Sequence, residues 1–192
     1  MEENFIEKLI NNLRQDRNIR GFSEKWANWM SILSITTCQK CVEGHGTIAP
    51  ASILEGHFEK PVNEHENCYC KWVRMRTKAV GTATDAGING VDYFLFYQRR
   101  LPDYYIDKNI AYRFGWKTQH KHLDKAVPGK MLGGDLYQND DSKLPSAPGR
   151  IWYEADINYT GGKRNRQRIL YSNDGLIFVT YDHYQTFYEI TA

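Results

Sequence analysis

Apolar residues near the start of the chain recur with the period of an α-helix. Five of them follow intervals of three and four between polar residues: Phe5, Ile6, Leu9, Ile10 and Leu13. This spacing places them on one face of a helix. We therefore predict an amphipathic helix over residues 3–15, which either packs on its own domain or docks on a partner.

Two short helices are predicted in the middle of the chain. The run VDYFLFYQRRLP has apolar residues on one side of a helix that must end before Pro102, because the residue before a proline disfavours helical geometry. The run DKNIAYRFGW predicts a second helix, with Asp107 as its N-cap and Gly115 as its stop. Residues 78–90, KAVGTATDAGING, are rich in Gly, Ala and Thr and are typical of a linker.

Towards the C-terminus the apolar period changes from helical to alternating. Residues 128–150 are rich in Gly, Pro and Ser and predict loops. Four strand candidates then run to the end of the chain, separated by TGGK, SNDG and YDHY. Helices followed by an antiparallel sheet indicate an α+β fold.

The first of these strands separates two kinds of side chain. Alternate residues of a strand share a face, and the core-facing set is predicted to be Ile151, Tyr153, Ala155, Ile157 and Tyr159. The opposite face carries Glu154, Asp156 and Asn158. By the same rule the next strand, RNRQRILY, presents three arginines on one face: Arg164, Arg166 and Arg168. His183 falls in the turn between the last two strands.

A carboxylate, arginines and a histidine on one sheet surface suit phosphodiester cleavage. Arginine binds phosphate bidentately, glutamate can accept a proton, and histidine can donate one near neutral pH. RNA supplies its own nucleophile, the 2′-hydroxyl, so no metal-activated water is needed. A second interpretation stays open at this point, in which Glu154, Asp156 and the arginines form a surface salt-bridge ladder of little energetic value.

Composition places limits on these interpretations. The 192 residues fit one medium domain or a compact domain with a smaller appendage, and 41% hydrophobic residues are enough for a core. The formal charge of +2 lacks the basic excess of nonspecific nucleic-acid binders, so any basic site must be local. No apolar run approaches the roughly 20 residues of a membrane span, and the first residues lack the pattern of a signal peptide. We therefore expect no export signal in this chain.

The cysteines form a C-x-x-C and a C-x-C motif: Cys38, Cys41, Cys68 and Cys70. Four thiolates, or three and an imidazole from His45 or His65, would complete a tetrahedral structural zinc site. Disulfides are the alternative if the chain is exported, and reduced core cysteines are the third interpretation. A catalytic cysteine is not predicted, because nothing in the sequence pairs one thiol with a base.

The stretch WMSILSITTCQKCVEGHGTI followed by NEHENCYCKW resembles the cysteine-bearing end of the phage Mu F-like head-morphogenesis (minor capsid) family. A cysteine pair, a His-Gly and a later His-x-x-Cys-x-Cys recur in that family. The resemblance covers roughly residues 27–72 and lacks the family's longer helical body. It implies a small, helical and cysteine-rich module over residues 1–80, either a remnant or a delivery module.

Residues 90–190 resemble the barnase-like family of microbial ribonucleases. The matching stretches are long and collinear: LPDYYI, FGW, PGKMLGGDLY, GRIWYEADINYTGGKRNRQRILYSNDGLIFVTYDHYQTF and the final EI. The resemblance implies a ribonuclease domain over residues 81–192. It also implies N-terminal helices packed on a twisted antiparallel β-sheet, with the site on the open face of the sheet.

The family's catalytic residues have matching positions in this chain. Glu154 matches the general base and His183 the general acid. The phosphate-binding arginines and the lysine that stabilises the transition state are matched by Arg164, Arg168 and Lys108. The resemblance therefore implies transesterification to a 2′,3′-cyclic phosphate, followed by hydrolysis, with no cofactor for catalysis.

Neighbouring residues are expected to take supporting roles. Tyr184 matches the tyrosine beside the acid. Asp156 is expected to hold an arginine in place, and Arg166 has no functional counterpart in the family. Trp116 and Trp152 are expected in the core and not as platforms for stacking bases.

The loop that reads guanine in that family departs from the pattern here. It reads LYQNDDSK, and the candidate substrate-binding residues are Tyr137, Asn139, Asp141 and Tyr184. Guanine preference is expected, with Asp141 replacing the family's glutamate through a side chain shorter by one methylene. Asp140 places a negative charge where the family has a positive one, which argues against binding of the family's acidic inhibitor, barstar.

These features predict an RNA-cleaving toxin, secreted or delivered with the phage-like module. Its expected partners are RNA and an acidic inhibitor or immunity protein, with no membrane. A catalytically inactive phage-derived structural protein and an RNA-binding module are the alternatives. The enzyme is favoured because binding alone needs no paired base and acid such as Glu154 and His183.

Overall fold

A computed structural model describes residues 19–31, 37–58, 68, 70–118 and 122–192. The helix predicted over residues 3–15 and the candidate ligand His65 lie outside these residues. Within them no helix is long and apolar enough to cross a lipid bilayer.

Nine strands form one mixed sheet in the described part of the chain. They are β1 (Ile19–Met30), β2 (Ile48–Pro50), β3 (Lys71–Ala79), β4 (Tyr105–Ile106), β5 (Met131–Tyr137), β6 (Trp152–Asp156), β7 (Arg168–Ser172), β8 (Ile177–Thr180) and β9 (Tyr188–Thr191). Their order across the sheet is β2-β1-β3-β9-β8-β7-β6-β5-β4. The pairs β3–β9 and β4–β5 are parallel and the other neighbours are antiparallel.

Among the residues that the structure describes, four short helices accompany the sheet: α1 (Gln39–Gly44), α2 (Val91–Gln98), α3 (Lys108–Arg113) and α4 (Leu123–Ala126). Two 3₁₀ turns lie at Ala51–Leu54 and Gly87–Asn89. The predicted ends of α2 and α3 are confirmed. Asp107 caps α3 by accepting the N–H of Ile110 at 2.8 Å, and Gly115 follows it with a φ of +83°, a conformation that favours glycine.

The α+β class is confirmed, but two details of the predicted fold are wrong. The antiparallel sheet predicted for residues 81–192 is present in β5 to β9, and the parallel strand β3 that extends it lies before that range. The described part of the cysteine-bearing module is built mainly from β1, β2 and β3, with α1 as its helix. Strand β5 lies in a region that was predicted to be loops.

The predicted linker over residues 78–90 begins inside β3 and is tied to the fold. Lys78 and Ala79 are paired with β9 in the sheet. The buried carboxylate of Asp92, on α2, then accepts the N–H groups of Gly81 at 2.7 Å and Ala83 at 3.1 Å. Because these bonds fix the backbone after β3, the segment is not a free spacer.

Apolar residues cover both faces of the sheet. One face packs against α2 through Val91, Leu95, Ala155, Ile169 and Val179. The other face forms a second core, which we call the lower core, from Ile48, Met75, Leu144, Trp152, Leu170, Phe178 and Phe187. The lower core draws residues from both the cysteine-bearing module and the C-terminal sheet.

The alternation predicted for β6 is only partly correct. Ile151, predicted to face the core, is 43% exposed, whereas Trp152 is 4% exposed. Trp152 lies in the lower core, on the same side of the strand as Glu154. The predicted alternation of core-facing and solvent-facing residues failed because both faces of the sheet are buried. Apolar residues on one face of β6 therefore do not identify a single core.

Candidate active site

Glu154 lies in the middle of β6 with both carboxylate oxygens hydrogen-bonded. Lys108 Nζ donates to Oε1 at 2.9 Å, and the hydroxyl of Tyr184 donates to Oε2 at 2.6 Å. Burial raises the pKa of Glu154, but these two bonds and the charge of Arg168 outweigh it and bring the pKa below the usual 4.5. The carboxylate is therefore ionised at neutral pH.

Lys108 is positioned by the start of α3 and by a second carboxylate. Its backbone N–H donates to Asp135 Oδ1 at 3.1 Å, and its Nζ lies 3.7 Å from Asp135 Oδ2. Strand β5, which carries Asp135, pairs with β6 next to Glu154. The ammonium group is thus held between two carboxylates on neighbouring strands.

Asp156 anchors both of the predicted phosphate-binding arginines. Arg164 donates to its two oxygens through Nε at 2.7 Å and Nη2 at 2.6 Å. Arg168 Nε lies 3.1 Å from Oδ1. The Asp156 side chain is 2% exposed, so it is enclosed by the cations that it holds. This geometry agrees with the positioning role expected for Asp156.

Arg164 and Arg168 differ in how far they reach solvent. The side chain of Arg164 is 21% exposed, and that of Arg168 is 6% exposed. Arg168 also donates from Nη1 to the backbone oxygens of Asn165 at 2.9 Å and Gln167 at 2.6 Å. Arg164 is therefore the more accessible of the two cations for a phosphate.

The strand alternation predicted for the three arginines does not hold, because only Arg168 lies in a strand. Strand β7 begins only at Arg168, and the preceding residues form a loop closed by Asn165, whose amide donates to the backbone oxygens of Ile157 and Asn158. Arg166 is exposed on this loop. The prediction was wrong because strand alternation was extended into residues that are not in a strand.

His183 lies at the turn between β8 and β9, as predicted, in a segment that we call the acid turn (residues 181–186). His183 and Tyr184 have φ values of +64° and +68°, which are unfavourable for residues with side chains. The Asp182 carboxylate holds the turn by accepting the N–H groups of Gln185 at 3.1 Å and Thr186 at 2.9 Å. Such strained backbone persists only where the surroundings fix it, and it clusters at functional sites.

The His183 ring is exposed and surrounded by positive charge. Partial burial lowers its pKa below the usual 6.5, and the charges of Arg168 and Arg166 lower it further. Glu154 opposes these effects but does not cancel them. His183 therefore loses its proton more readily than an isolated histidine.

The loop over residues 138–144, which we call the recognition loop, is closed by one of its predicted base-binding residues. Asn139 Nδ2 donates to the Leu144 oxygen at 2.9 Å, and its Oδ1 accepts the Leu144 N–H at 2.8 Å. Asp141 is exposed and lies beside Lys143, with Oδ2 3.6 Å from Nζ. Asp140 is also exposed. The Asn139 side chain thus shapes this loop, and the carboxylates of Asp140 and Asp141 both face solvent.

Aromatic residues occupy defined places around the site. The rings of Tyr137 and Tyr184 are 5.4 Å apart at 34°. Trp116 and Trp152 are 2% and 4% exposed, which confirms their predicted place in the core. Sequence reasoning did not identify Asp135 or Asp182, which position Lys108 and the acid turn, because neither periodicity nor charge pattern singles them out.

Three of the four cysteines converge in a buried cluster. The sulfur atoms of Cys41 and Cys68 are 3.9 Å apart, and those of Cys68 and Cys70 are 3.0 Å apart. Both distances exceed the roughly 2.05 Å of a disulfide bond. Cys38 packs against this cluster. The candidate imidazole, on His45, uses Nδ1 to accept the Ser31 N–H at 2.9 Å.

The cysteine cluster fits the donor chemistry of a thiophilic metal. Zinc–sulfur bonds of about 2.3 Å in a tetrahedron separate the sulfurs by roughly 3.8 Å, close to the spacing of Cys41 and Cys68. Cys70 lies within 4.8 Å of both. The described residues thus supply three ligands for a metal, and Cys38 is the candidate fourth.

The arrangement around Glu154 defines a class of enzyme. An ionised carboxylate, a titratable histidine and anchored arginines on one sheet surface are suited to acid–base cleavage of a phosphodiester. The ribonuclease family model matches residues 95–191. The chain belongs to the ribonuclease family, and the predicted RNA-cleaving class is confirmed.

Curated relatives extend this match over most of their own length. A ribonuclease of Heyndrickxia coagulans is 49% identical over 102 residues, which cover 53% of this chain and 94% of that protein. A ribonuclease of Bacillus intermedius is 49% identical over 136 residues, or 71% of this chain and 84% of that protein. A ribonuclease of Bacillus pumilus is 49% identical over 102 residues, or 53% and 63%. The resemblance of the cysteine-bearing module to phage head proteins and the division at residue 80 stay predictions.

Proposed function

We propose that this chain is a metal-independent endoribonuclease that cleaves single-stranded RNA with a preference for guanine and acts as a toxin. The observation that carries the catalytic part is the ionised Glu154, held by Lys108 and Tyr184 opposite the turn that bears His183. Tyr184, next to His183 in the chain, contacts Glu154 and so brings a general base near the turn that carries a general acid. This pair serves proton transfer, which a module that only bound RNA would not need.

In the first step Glu154 removes the proton from the 2′-hydroxyl of the substrate ribose. The 2′-oxygen attacks phosphorus, and the bond from phosphorus to the 5′-oxygen of the next nucleotide breaks. His183, in its protonated form, donates its proton to that departing oxygen. The products are a 2′,3′-cyclic phosphate and a free 5′-hydroxyl.

The second step reverses the roles of the two residues. Neutral His183 takes a proton from water, and the water oxygen attacks phosphorus in the cyclic phosphate. The bond from phosphorus to the 2′-oxygen breaks, and protonated Glu154 donates its proton to that oxygen, which leaves a 3′-phosphate and a free 2′-hydroxyl. Lys108 and the arginines anchored by Asp156 stabilise the charge that develops on the phosphoryl oxygens. The exposed part of Arg164 makes it the first phosphate contact in this mechanism.

Guanine preference rests on the recognition loop. The exposed Asp141 carboxylate can accept hydrogen bonds from guanine N1–H and the 2-amino group. Tyr184, whose hydroxyl holds Glu154, also packs beside Tyr137, so the base-binding and catalytic groups adjoin. Asp140 adds negative charge to this rim and is expected to weaken binding of an acidic inhibitor.

The toxin role follows from the chemistry of the reaction, because RNA cleavage harms any cell that contains the active enzyme. A dedicated inhibitor with a surface suited to Asp140 is the corresponding partner. Zinc at the cysteines, in this proposal, is structural and takes no part in catalysis.

The decisive experiment is cleavage of an RNA oligonucleotide that contains one guanosine, with EDTA present. The native chain is compared with Glu154→Ala and His183→Ala, and the product ends are identified by mass spectrometry. We expect a 2′,3′-cyclic phosphate on the guanosine, with rates lower by about 10²- to 10⁴-fold in each variant, the range of general acid–base catalysis. Folding of all three proteins in the same buffer is checked by thermal unfolding.

Two outcomes would contradict the proposal. A strict requirement for a divalent ion would exclude the metal-independent mechanism. A folded native chain that binds the oligonucleotide without cutting it would favour an RNA-binding module or a phage-derived structural protein.

A further inference from the structure

The cysteine-bearing module reaches the two loops that flank Glu154. Residues 44–48, which we call the bridging segment, join α1 to β2. This segment contacts the acid turn through Gly46 and the recognition loop through Ile48. These two contacts connect the module to both the proton donor and the proposed base-binding groups.

Gly46 packs directly on the backbone of the acid turn. A Cβ atom at this position would lie 2.7 Å from the Gln185 oxygen and 3.1 Å from the Tyr184 oxygen. Gly46 is buried and has a φ of +84°, so both its conformation and its surroundings require glycine. The approach is close because no side chain separates the two backbones.

Ile48 holds the recognition loop from the same side. Its N–H donates to the Lys143 oxygen at 2.6 Å. Lys143 Nζ in turn donates to the Tyr184 oxygen at 3.4 Å, which links the recognition loop to the acid turn. The Ile48 side chain lies in the lower core with Leu144 and Phe187, the residues that end the recognition loop and follow the acid turn.

The bridging segment is itself fixed by β1. Gly46 N–H donates to the Trp29 oxygen at 2.8 Å, and Trp29 N–H donates to the Thr47 oxygen at 2.9 Å. Strand β1 pairs with β3, and β3 pairs with β9 immediately after the acid turn. The segment is therefore braced against the same sheet that carries Glu154.

We propose that the bridging segment is a positioning element of the ribonuclease site, which sets the place of His183 through Gly46 and of the recognition loop through Ile48. The inference rests on the proposed reaction, since it assigns His183 and the recognition loop their roles. It makes the N-terminal module a working part of the enzyme in addition to any role in delivery.

The experiment compares Gly46→Ala with Gly56→Ala. Gly56 has a φ of +78°, close to that of Gly46, but a Cβ there meets nothing within 4 Å. Both variants therefore carry similar backbone strain, and only Gly46→Ala pushes on the acid turn. Each protein is measured for thermal unfolding, for kcat and KM on a guanosine-containing dinucleotide, and for the NMR titration of His183 without RNA.

We expect both variants to lose thermal stability from the strained φ, and Gly46→Ala to lose more because its Cβ would overlap the backbone of the acid turn. Gly46→Ala should lower kcat/KM by about 10- to 100-fold, the range caused by misplacing catalytic groups by about 1 Å, and should move the chemical shifts and titration of His183. Gly56→Ala should leave kcat/KM and the His183 titration unchanged. Equal effects of the two variants on kcat/KM and on His183 would overturn the proposal.

Ile48→Ala serves as a second variant if Gly46→Ala does not fold. It keeps the N–H that binds Lys143 but removes the apolar support beneath Leu144. Met75→Ala, at a fully buried position of the same core on β3, is its control. We expect KM to rise more for Ile48→Ala than for Met75→Ala at equal loss of stability, and equal KM values would overturn the proposal.

The NMR readout separates this inference from the proposed reaction. If native protein does not cleave RNA, the proposed function fails, yet a selective response of His183 to Gly46→Ala would still support the positioning contact. If native protein cleaves RNA and His183 does not respond, the positioning contact fails alone.

Discussion

Glu154 and His183 have pKa values that are displaced in the same direction. Glu154 lies below its usual 4.5 because the bonds from Tyr184 and Lys108 outweigh burial. His183 lies below its usual 6.5 because of burial and the charges of Arg168 and Arg166. In the proposed mechanism the active form needs Glu154 deprotonated and His183 protonated, so kcat/KM should be bell-shaped in pH with its maximum below 6.5.

Arg166 gives a direct test of this electrostatic account. Removing its charge in Arg166→Ala should raise the pKa of His183 and shift the alkaline limb of the kcat/KM profile to higher pH. Lys163→Ala removes an exposed charge from the same loop and is the matched control. An alkaline limb that moves equally in both variants would indicate a general charge effect and contradict a specific influence of Arg166.

Loss of the Asp156 carboxylate should cost substantial stability. Asp156→Asn leaves Arg164 and Arg168 without a buried counter-charge, and breaking such pairs typically destabilises by about 3–5 kcal/mol. Asp103→Asn, which breaks the exposed pair with Arg100, should change the free energy of unfolding little. The measurement is urea unfolding of both variants, and equal effects would show that Asp156 is not a structural anchor.

At the level of elements, sequence patterns predicted two of the four helices and the four C-terminal strands of the described residues. The ends of α2 and α3 were predictable because Pro102, Asp107 and Gly115 act through local backbone geometry. Strand β5 was missed because its Gly133–Gly134 pair resembles a turn. Gly133 is required by packing, since a Cβ there would lie 2.6 Å from the Tyr105 ring and 2.7 Å from the Ala155 Cβ.

The sequence predicted those site residues that their side-chain type identifies. It did not predict residue positions that depend on the conformation of a loop. Lys108 contacts Glu154, and His183 lies in the acid turn, whose Tyr184 also contacts Glu154. The position of Arg166 depends on where β7 begins, and the loop before β7 is closed by side-chain hydrogen bonds of Asn165 and Asn158. Such bonds leave no periodic trace in the sequence.

The cysteine cluster is predicted to bind a metal ion and to be stabilised by it. We expect one zinc per chain under reducing conditions and a lower melting temperature after zinc removal, because a ligand that binds only the folded state stabilises it. Cys70→Ser should lower the zinc content, and His57→Ala, which changes an exposed histidine outside the cluster, should not.

Metal analysis by mass spectrometry with thermal unfolding checks this prediction. Zinc-free protein with reduced thiols would indicate core cysteines instead. A mass lower by one pair of hydrogens would indicate a disulfide.

At the scale of the whole molecule, the two sequence-defined regions share one sheet and one core. The resemblance to ribonucleases predicted the C-terminal part and the chemistry of its surface. It did not predict that β3 extends that sheet beyond β9 or that Met75 and Ile48 complete the lower core. These contacts join residues far apart in the chain, and no local pattern encodes them.

The parallel pairing of β3 with β9 determines whether proteolysis after β3 would separate the N-terminal module from the ribonuclease region. The two strands match residue by residue from Arg76 opposite Tyr188 to Ala79 opposite Thr191. A cut in the exposed stretch around Asp85 and Ala86 would break the covalent chain and leave these strand contacts intact. The fragments would stay together as a nicked, noncovalent complex, so proteolysis after β3 would not by itself release the ribonuclease from its N-terminal module.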